Sequence, residues 1–324
     1  MQITILSGKE TNPGDNPWTP LESLGKLTVY DLTKPEQTVE RAKDADILLV
    51  GRDILTTEHI EQLPKLKCIG VLGTGYNQID IETAGKRGIP VINVTAYGVE
   101  AVAQHAFALL LELCRHTAAL DQAVRDGAWS SPDWAPWKYP QVELTYKCFG
   151  IIGYGNIGQK AGYIAHGFDM SVLAYDERPV QPPSYTPFSL ADLDEVFRNA
   201  DVLSLHCPLT EDNFHLVNKK RIETMKDGAI IINVARGALL DEQAVADALI
   251  SGKLGGLGSD AFIDEPINLN NPLLSAPNTV FTPHIAWESV EARRNIVRIL
   301  AENLKAWMDG KPQSIVNKEY LVNS

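Results

Sequence analysis

Positive charge and cysteine are both scarce in this chain, and no apolar run is long. The 324 residues hold 29 Lys and Arg against 41 Asp and Glu, a formal charge of −12, so the long-range field repels polyphosphate backbones and nucleic acid is not an expected partner. A small anion would have to be held by a local cation. The four cysteines, Cys68, Cys114, Cys148 and Cys207, lie far apart, with no Cys-x-x-Cys pair and no Cys/His set at zinc spacing. No metal site is therefore expected, and a reducing compartment is. No stretch approaches the roughly 18 apolar residues of a membrane span. The opening Met-Gln-Ile-Thr-Ile-Leu-Ser lacks the basic region and cleavage site of a leader and reads as a first strand, so the expected location is the cytoplasm, with no membrane partner.

What is present is ordinary globular material: 44% hydrophobic and 22% charged residues, with 24 Gly and 19 Pro. At about 100 to 200 residues per domain, the length suits two domains, each with its own core and with a cleft between them. Short aliphatic runs at 3–6, 27–30, 47–50, 68–72 and 91–94 alternate with polar helical stretches, the rhythm of a parallel sheet covered by helices on both faces. Residues 99–118 repeat apolar side chains at helical spacing (Val102, Ala106, Leu109, Leu110, Leu113) without Gly or Pro, which predicts one long helix. A Trp- and Pro-rich stretch, 129–140, fits no pattern. A second series then follows, with strands expected at 148–152, 171–175, 202–205, 229–233, 256–259 and 280–282. A last helical pattern at 290–308 is expected to pack back onto the first series. The fold class is α/β, with two doubly wound parallel-sheet domains: residues 1–98 with 290–324 form one, discontinuous, and 99–289 the other.

The run Gly-Ile-Ile-Gly-Tyr-Gly-Asn-Ile-Gly places Gly153, Gly155 and Gly158 in a G-x-G-x-x-G pattern directly after a strand and at the start of a helix. There the first glycine permits a tight turn, the second lets a pyrophosphate approach the backbone, and the third allows close strand–helix packing, while helix N-terminal amides neutralise phosphate. Asp176 ends the next strand, where a ribose-binding carboxylate belongs. A carboxylate accepts from the 2′- and 3′-hydroxyls and repels a 2′-phosphate, so NAD (as NADH) is favoured over NADP, with Arg178 as the one feature on the other side.

Three strand-end segments carry the remaining chemistry. Arg236 lies in Asn-Val-Ala-Arg-Gly, and its planar fork matches a carboxylate. His284 lies in Thr-Pro-His-Ile-Ala-Trp, and imidazole exchanges protons near neutral pH. Glu265 lies in Ile-Asp-Glu-Pro and would orient that imidazole, whereas Asp264 reads as a loop acid. His59, His116, His166 and His215 read as structural, and Arg52 as a surface residue able to reach a hydroxylated substrate.

With these residues in place the chain resembles the D-2-hydroxyacid dehydrogenase family over essentially its whole length. The resemblance rests on residues 153–158, His-Cys-Pro-Leu-Thr at 206–210, Asn-Val-Ala-Arg-Gly at 233–237, Asp260 through Glu265-Pro266, and Thr-Pro-His at 282–284. It implies a Rossmann NAD-binding domain inserted in a flavodoxin-like substrate domain. It further implies that Arg236 binds the substrate carboxylate, His284 is the acid/base and Glu265 its partner. Cofactor contacts are implied at Asn156, Ile157, Cys207, Pro208, Asn213, Val234, Ala235 and Asp260, the last accepting from the carboxamide. Val-Leu-Gly-Thr-Gly-Tyr-Asn at 71–77 corresponds to a substrate loop whose amides face the carboxylate, making Thr74 and Gly75 substrate-side candidates. Within the family the chain looks most like the glycerate dehydrogenase, or hydroxypyruvate reductase, branch, although Ser-Asp-Ala-Phe stands at 259–262 where Leu-Asp-Val-Phe is commoner. A homodimer is implied, with the helix from Val99 as its interface. The alternatives are a same-fold dehydrogenase of phosphoglycerate, formate or phosphite, and a non-enzymatic NAD(H)-sensing corepressor, which would bind NADH yet reduce no oxo acid.

Overall fold

The structure is a computed structural model in which residues 1–134 and 140–321 are described. The chain divides into two compact units, Met1–Gly98 with Glu288–Ser324 and Val99–Trp287. Unit one is built on β1 (Gln2–Ile5), β2 (Lys26–Val29), β3 (Ile47–Val50), β4 (Cys68–Val71) and β5 (Val91–Ile92), all parallel in the order β2-β1-β3-β4-β5. β3 and β4 are buried at every residue, as parallel strands covered on both faces must be. The connecting helices are short: α1 (Thr19–Glu22), α2 (Thr38–Ala42), α3 (Thr57–Glu61) and α4 (Ile81–Lys86). Thr56 caps α3 by accepting from the His59 amide, and Asp80 caps α4 by accepting from Thr83, which satisfies otherwise orphaned donors.

Unit two opens with α5 (Val99–Arg115), α6 (Thr117–Arg125), β6 (Cys148–Ile152), α7 (Asn156–Gly167) and β7 (Ser171–Tyr175). It continues through β8 (Phe188–Leu190), α8 (Leu193–Asn199), β9 (Val202–Leu205), α9 (Lys219–Thr224), β10 (Ala229–Asn233), α10 (Glu242–Ile250), β11 (Leu254–Ser259) and β12 (Thr279–Phe281). The seven strands are parallel in the order β12-β11-β10-β9-β6-β7-β8. The order reverses between β6 and β9, and ligands bind at the carboxyl edge of such a switch point. Successive residues of β10 feed opposite cores: Ile231 packs with Val196, Ile222 and Leu249 of α8, α9 and α10, whereas Ile230 and Ile232 pack with Leu109 of α5 and Ala161 of α7. After β12 the chain returns to unit one as α11 (Val290–Met308), capped by Ser289 and buried along Ile296, Val297, Leu300 and Leu304.

The doubly wound reading is borne out in both units, with three local corrections. The helix expected over 99–118 ends at Arg115, because His116 turns into the left-handed region at φ 51° and Glu112 folds over the break, accepting from Thr117 Oγ1 at 2.6 Å and from the Ala118 amide. β8 was not expected: an edge strand with only Phe188 partly buried carries little apolar signal. β11 begins two residues earlier than its aliphatic run suggests, at Leu254. Of the 129–140 stretch, residues 135–139 lie outside the described residues. No helix among the described residues is long and apolar enough to cross a membrane.

Candidate active site

The glycine turn joins β6 to α7. Gly153 has φ +93°, and a Cβ on it would stand 2.5 Å from the Cys207 nitrogen, so glycine is needed both for the turn and for the passage of the chain leaving β9. A Cβ on Gly158 would fall 2.2 Å from the Gly153 carbonyl oxygen, the close strand–helix approach the motif serves. Around Gly155 the nearest atom to such a Cβ is Arg178 Nη2 at 3.7 Å, and as N-cap of α7 it offers no side chain to the helix amides. The first turn, Asn156, Ile157 and Gly158, therefore presents its N–H groups to an open cradle that fits a pyrophosphate.

Asp176 follows β7 with its side chain 6% exposed, and its Oδ1 accepts from the Arg178 amide at 2.9 Å and from Arg178 Nε at 3.3 Å. Oδ2 accepts nothing among the described residues. The arginine that counted toward NADP is thus held by the carboxylate itself. Beyond β9, burial pushes the half-buried Cys207 thiol up to about 11, so it offers a neutral apolar surface and not a nucleophile. Asn213 donates from Nδ2 to the Pro208 carbonyl at 2.8 Å and accepts at Oδ1 from the Thr210 amide at 2.8 Å. Both ends of that amide close the loop on itself.

The loop after β10 carries Val234, half-buried, Ala235, buried, and Arg236, exposed. Arg236 Nη1 donates to the Ala235 carbonyl at 2.8 Å. Asn233, fully buried, donates to the Arg236 carbonyl at 2.9 Å and accepts from the Ala235 amide at 3.0 Å, so it shapes this loop. Gly237 sits so close to the next loop that a Cβ on it would overlap the Phe262 carbonyl carbon at 1.9 Å. That next loop carries Glu265, whose Oε1 accepts from the Phe262 amide at 3.1 Å and whose Oε2 lies 2.6 Å from His284 Nδ1. A carboxylate at that distance fixes the proton on Nδ1 and directs Nε2 outward for proton exchange. His284 and Glu265 are each about one-third exposed at the side chain, 34% and 37%, so the dyad is open to a ligand.

Asp260 is 2% exposed at the end of β11. Its Oδ1 accepts from Thr282 Oγ1 at 2.5 Å and from the Ile285 amide at 2.9 Å, and its Oδ2 from the Ala286 amide at 2.8 Å. In the structure its carboxylate thus grips the His284 loop, a role the sequence did not reveal. Asn233, Gly237 and Thr282 were likewise not singled out. Asn233 carried a readable signal, since an amide ending the apolar run Ala-Ile-Ile-Ile must hydrogen-bond when buried.

In unit one, Thr74 and Gly75 lie in the loop after β4. Thr74 Oγ1 donates to the Val94 carbonyl at 2.7 Å and its own carbonyl accepts from Asn93 Nδ2 at 2.9 Å. The Thr74 and Gly75 amides have no acceptor among the described residues, and the space around Gly75 is open. Gln78 Nε2 donates to the Gly51 carbonyl at 2.5 Å, fastening the Arg52 turn beside this loop. Arg52 itself is exposed, and Glu10, which accepts from its amide, is held above the usual carboxylate range by burial.

Residues 107–286 match the family model of the NAD-binding domain of D-isomer specific 2-hydroxyacid dehydrogenases. The chain is 45% identical over 322 residues, 98% of its length and all of the relative's, to a hydroxypyruvate reductase of Blautia hydrogenotrophica. It is 36% identical over 291 residues, 88% of each chain, to a glyoxylate reductase of Thermococcus litoralis. Among solved structures, the D-lactate dehydrogenase of Aquifex aeolicus in complex with NAD and lactic acid superposes with a TM-score of 0.78 at 29% identity, covering 96% of each chain.

Proposed function

The chain belongs to the D-isomer specific 2-hydroxyacid dehydrogenase family, NAD-dependent oxidoreductases acting on 2-hydroxy acids, and on that premise we propose that it reduces a small 2-oxo acid of the hydroxypyruvate or glyoxylate type to the D-2-hydroxy acid. The observation that carries the proposal is the His284 Nδ1–Glu265 Oε2 contact of 2.6 Å at the carboxyl edge of the second sheet. His284, protonated, donates from Nε2 to the substrate's carbonyl oxygen and in the oxidising direction takes that proton back. Glu265 stabilises the imidazolium before transfer. Arg236 binds the substrate carboxylate through its fork and supports the charge that grows on the carbonyl oxygen. Reduced NAD, when bound, supplies the hydride.

The glycine turn and the α7 amides hold the pyrophosphate in this reading, and the free Oδ2 of Asp176 accepts from the ribose hydroxyls. Cys207, Pro208 and Asn213 form the wall of the adenosine side, with Val234 and Ala235 on the nicotinamide side. Asp260 Oδ2, for which the Ala286 amide is the one donor among the described residues, would accept from the carboxamide. Thr74 and Gly75 supply amides for the substrate in unit one, which we read as the substrate domain. A cytoplasmic homodimer completes the proposal. The names of relatives support the small-substrate branch, since they include a hydroxypyruvate reductase at 45% identity and a glyoxylate reductase at 36%. The test is the loss of NADH absorbance with hydroxypyruvate, glyoxylate, pyruvate and a branched-chain oxo acid. Fast turnover of either of the first two is expected, and preference for the branched acid would overturn the branch. Light scattering on the eluting protein tests the dimer.

A further inference from the structure

His284 has φ 58°, a backbone conformation that a non-glycine residue adopts only when its surroundings enforce it. The enforcement is visible on both flanks. One residue and two residues after His284, the Ile285 and Ala286 amides both donate to Asp260. Two residues before it, Thr282 donates its hydroxyl proton to the same carboxylate, at 2.5 Å, and its amide to the Ser259 carbonyl at 3.1 Å. A hydroxyl has one proton, so with that proton on Asp260 the Thr282 oxygen can only accept from its other neighbour. That neighbour is His105 Nε2 on α5, 2.9 Å from Thr282 Oγ1 and 3.7 Å from Asp260 Oδ1. The direction of the chain therefore fixes the His105 tautomer, with the proton on Nε2. The Asp260 carboxylate is buried with no Lys or Arg within ion-pair distance among the described residues, so the geometry of its hydrogen bonds alone decides where it points.

We propose that His105 is a positioning residue for His284, holding it in its strained backbone conformation through Thr282 and Asp260. α5 is well suited to the task, because it packs against β10, β11 and β12, the strands whose ends carry Arg236, Asp260 and Thr282. Leu109, one turn along the helix, would touch a Cβ on Gly258 at 2.9 Å, so the helix sits too close to β11 to shift freely. The inference rests on the reading of His284 as the acid/base, and its test separates the two.

The measurement is the proton resonance of the His284 Nδ1–H···Glu265 bond in protein labelled with ¹⁵N-histidine, assigned by its loss in His284→Ala. A short charge-assisted bond places it far downfield. In His105→Leu and Thr282→Val the resonance is expected to move upfield or broaden, with kcat for the 2-oxo acid about tenfold lower. In His105→Gln and Thr282→Ser, which keep the donor and the hydroxyl, it is expected to stay, with kcat within about twofold of wild type. The double variant His105→Leu/Thr282→Val should lose no more than either single one, because both break the same chain. An unmoved resonance in His105→Leu overturns the proposal, as does equal loss in His105→Gln and His105→Leu. Thermal melting of each variant separates positioning from unfolding. A fully active His284→Ala would instead overturn the acid/base reading, while the resonance would still report whether His105 positions the imidazole.

Discussion

The imidazole of His284 depends on contacts that begin far from it in sequence. Glu265 reaches its Nδ1 at 2.6 Å and Asp260 holds the two amides that follow it, so the roles of the three side chains differ although all are acidic or basic groups on neighbouring loops. Replacing His284 by Ala is expected to lower kcat by about 100- to 10,000-fold, the usual worth of a positioned general acid, with little change in the dissociation constant of NADH. Glu265→Gln keeps the size of the side chain but not the charge that stabilises an imidazolium, so kcat for NADH-dependent reduction of hydroxypyruvate is expected to fall, as steady-state turnover would show. Gly237→Ala would drive a methyl group into the Phe262 carbonyl, a backbone collision that no rotamer relieves. A loss of about 3 kcal/mol in stability and of nearly all activity is expected, read by chemical denaturation and by turnover. The pairing of Glu265 with His284 was legible in the sequence because both stand in short strand-end segments, whereas no contact of Arg236 with either is shown among the described residues. The contact of Thr282 with His105 was not legible, because 177 residues separate them and neither belongs to a local pattern.

Elements were legible wherever burial on both faces left an uninterrupted aliphatic run. β3, β9 and β10 are buried throughout and begin and end where the sequence suggests. β8 escaped because an edge strand pairs on one side only, and here two of its three residues are exposed. The break between α5 and α6 escaped for a different reason: nothing in the periodicity of 99–118 stops a helix, and the stop is made by the left-handed turn at His116 together with Glu112, which accepts from the first residues of α6. Glu112→Ala is therefore expected to remove a cap, at a cost of about 1 kcal/mol. Hydrogen exchange should quicken in Thr117–Arg125 and remain slow in the buried α5, and equal protection of α6 in both proteins would contradict the assignment.

For the whole molecule, each unit repeats one arrangement, a parallel sheet with a switch point and the candidate site loops at its carboxyl edge. The second unit adds a buried titratable group beside the glycine turn. His206, whose Nε2 lies 2.9 Å from Ser204 Oγ, is lowered by burial to about 4. Its ordinary value is near 6.5, so between these two pH values the unfolded chain binds a proton that the native one does not. Stability is then unaffected above about 6.5 and falls by up to about 3 kcal/mol as pH drops toward 4. Denaturation midpoints measured across that window should fall in wild type and stay flatter in His206→Gln. Carboxylates such as Asp80, lowered mainly by the Thr57 hydroxyl and by the Thr83 amide and hydroxyl, add their own loss only at lower pH.

The most direct measurement is single-turnover oxidation of bound NADH by hydroxypyruvate, followed in the wild-type protein and in His284→Ala. Rapid oxidation by the wild type and a fall of at least about 100-fold in the variant, with NADH bound equally well by both, is the expected result. Equal rates in the two proteins would contradict proton transfer by His284 and, with it, the chemistry assigned to this site.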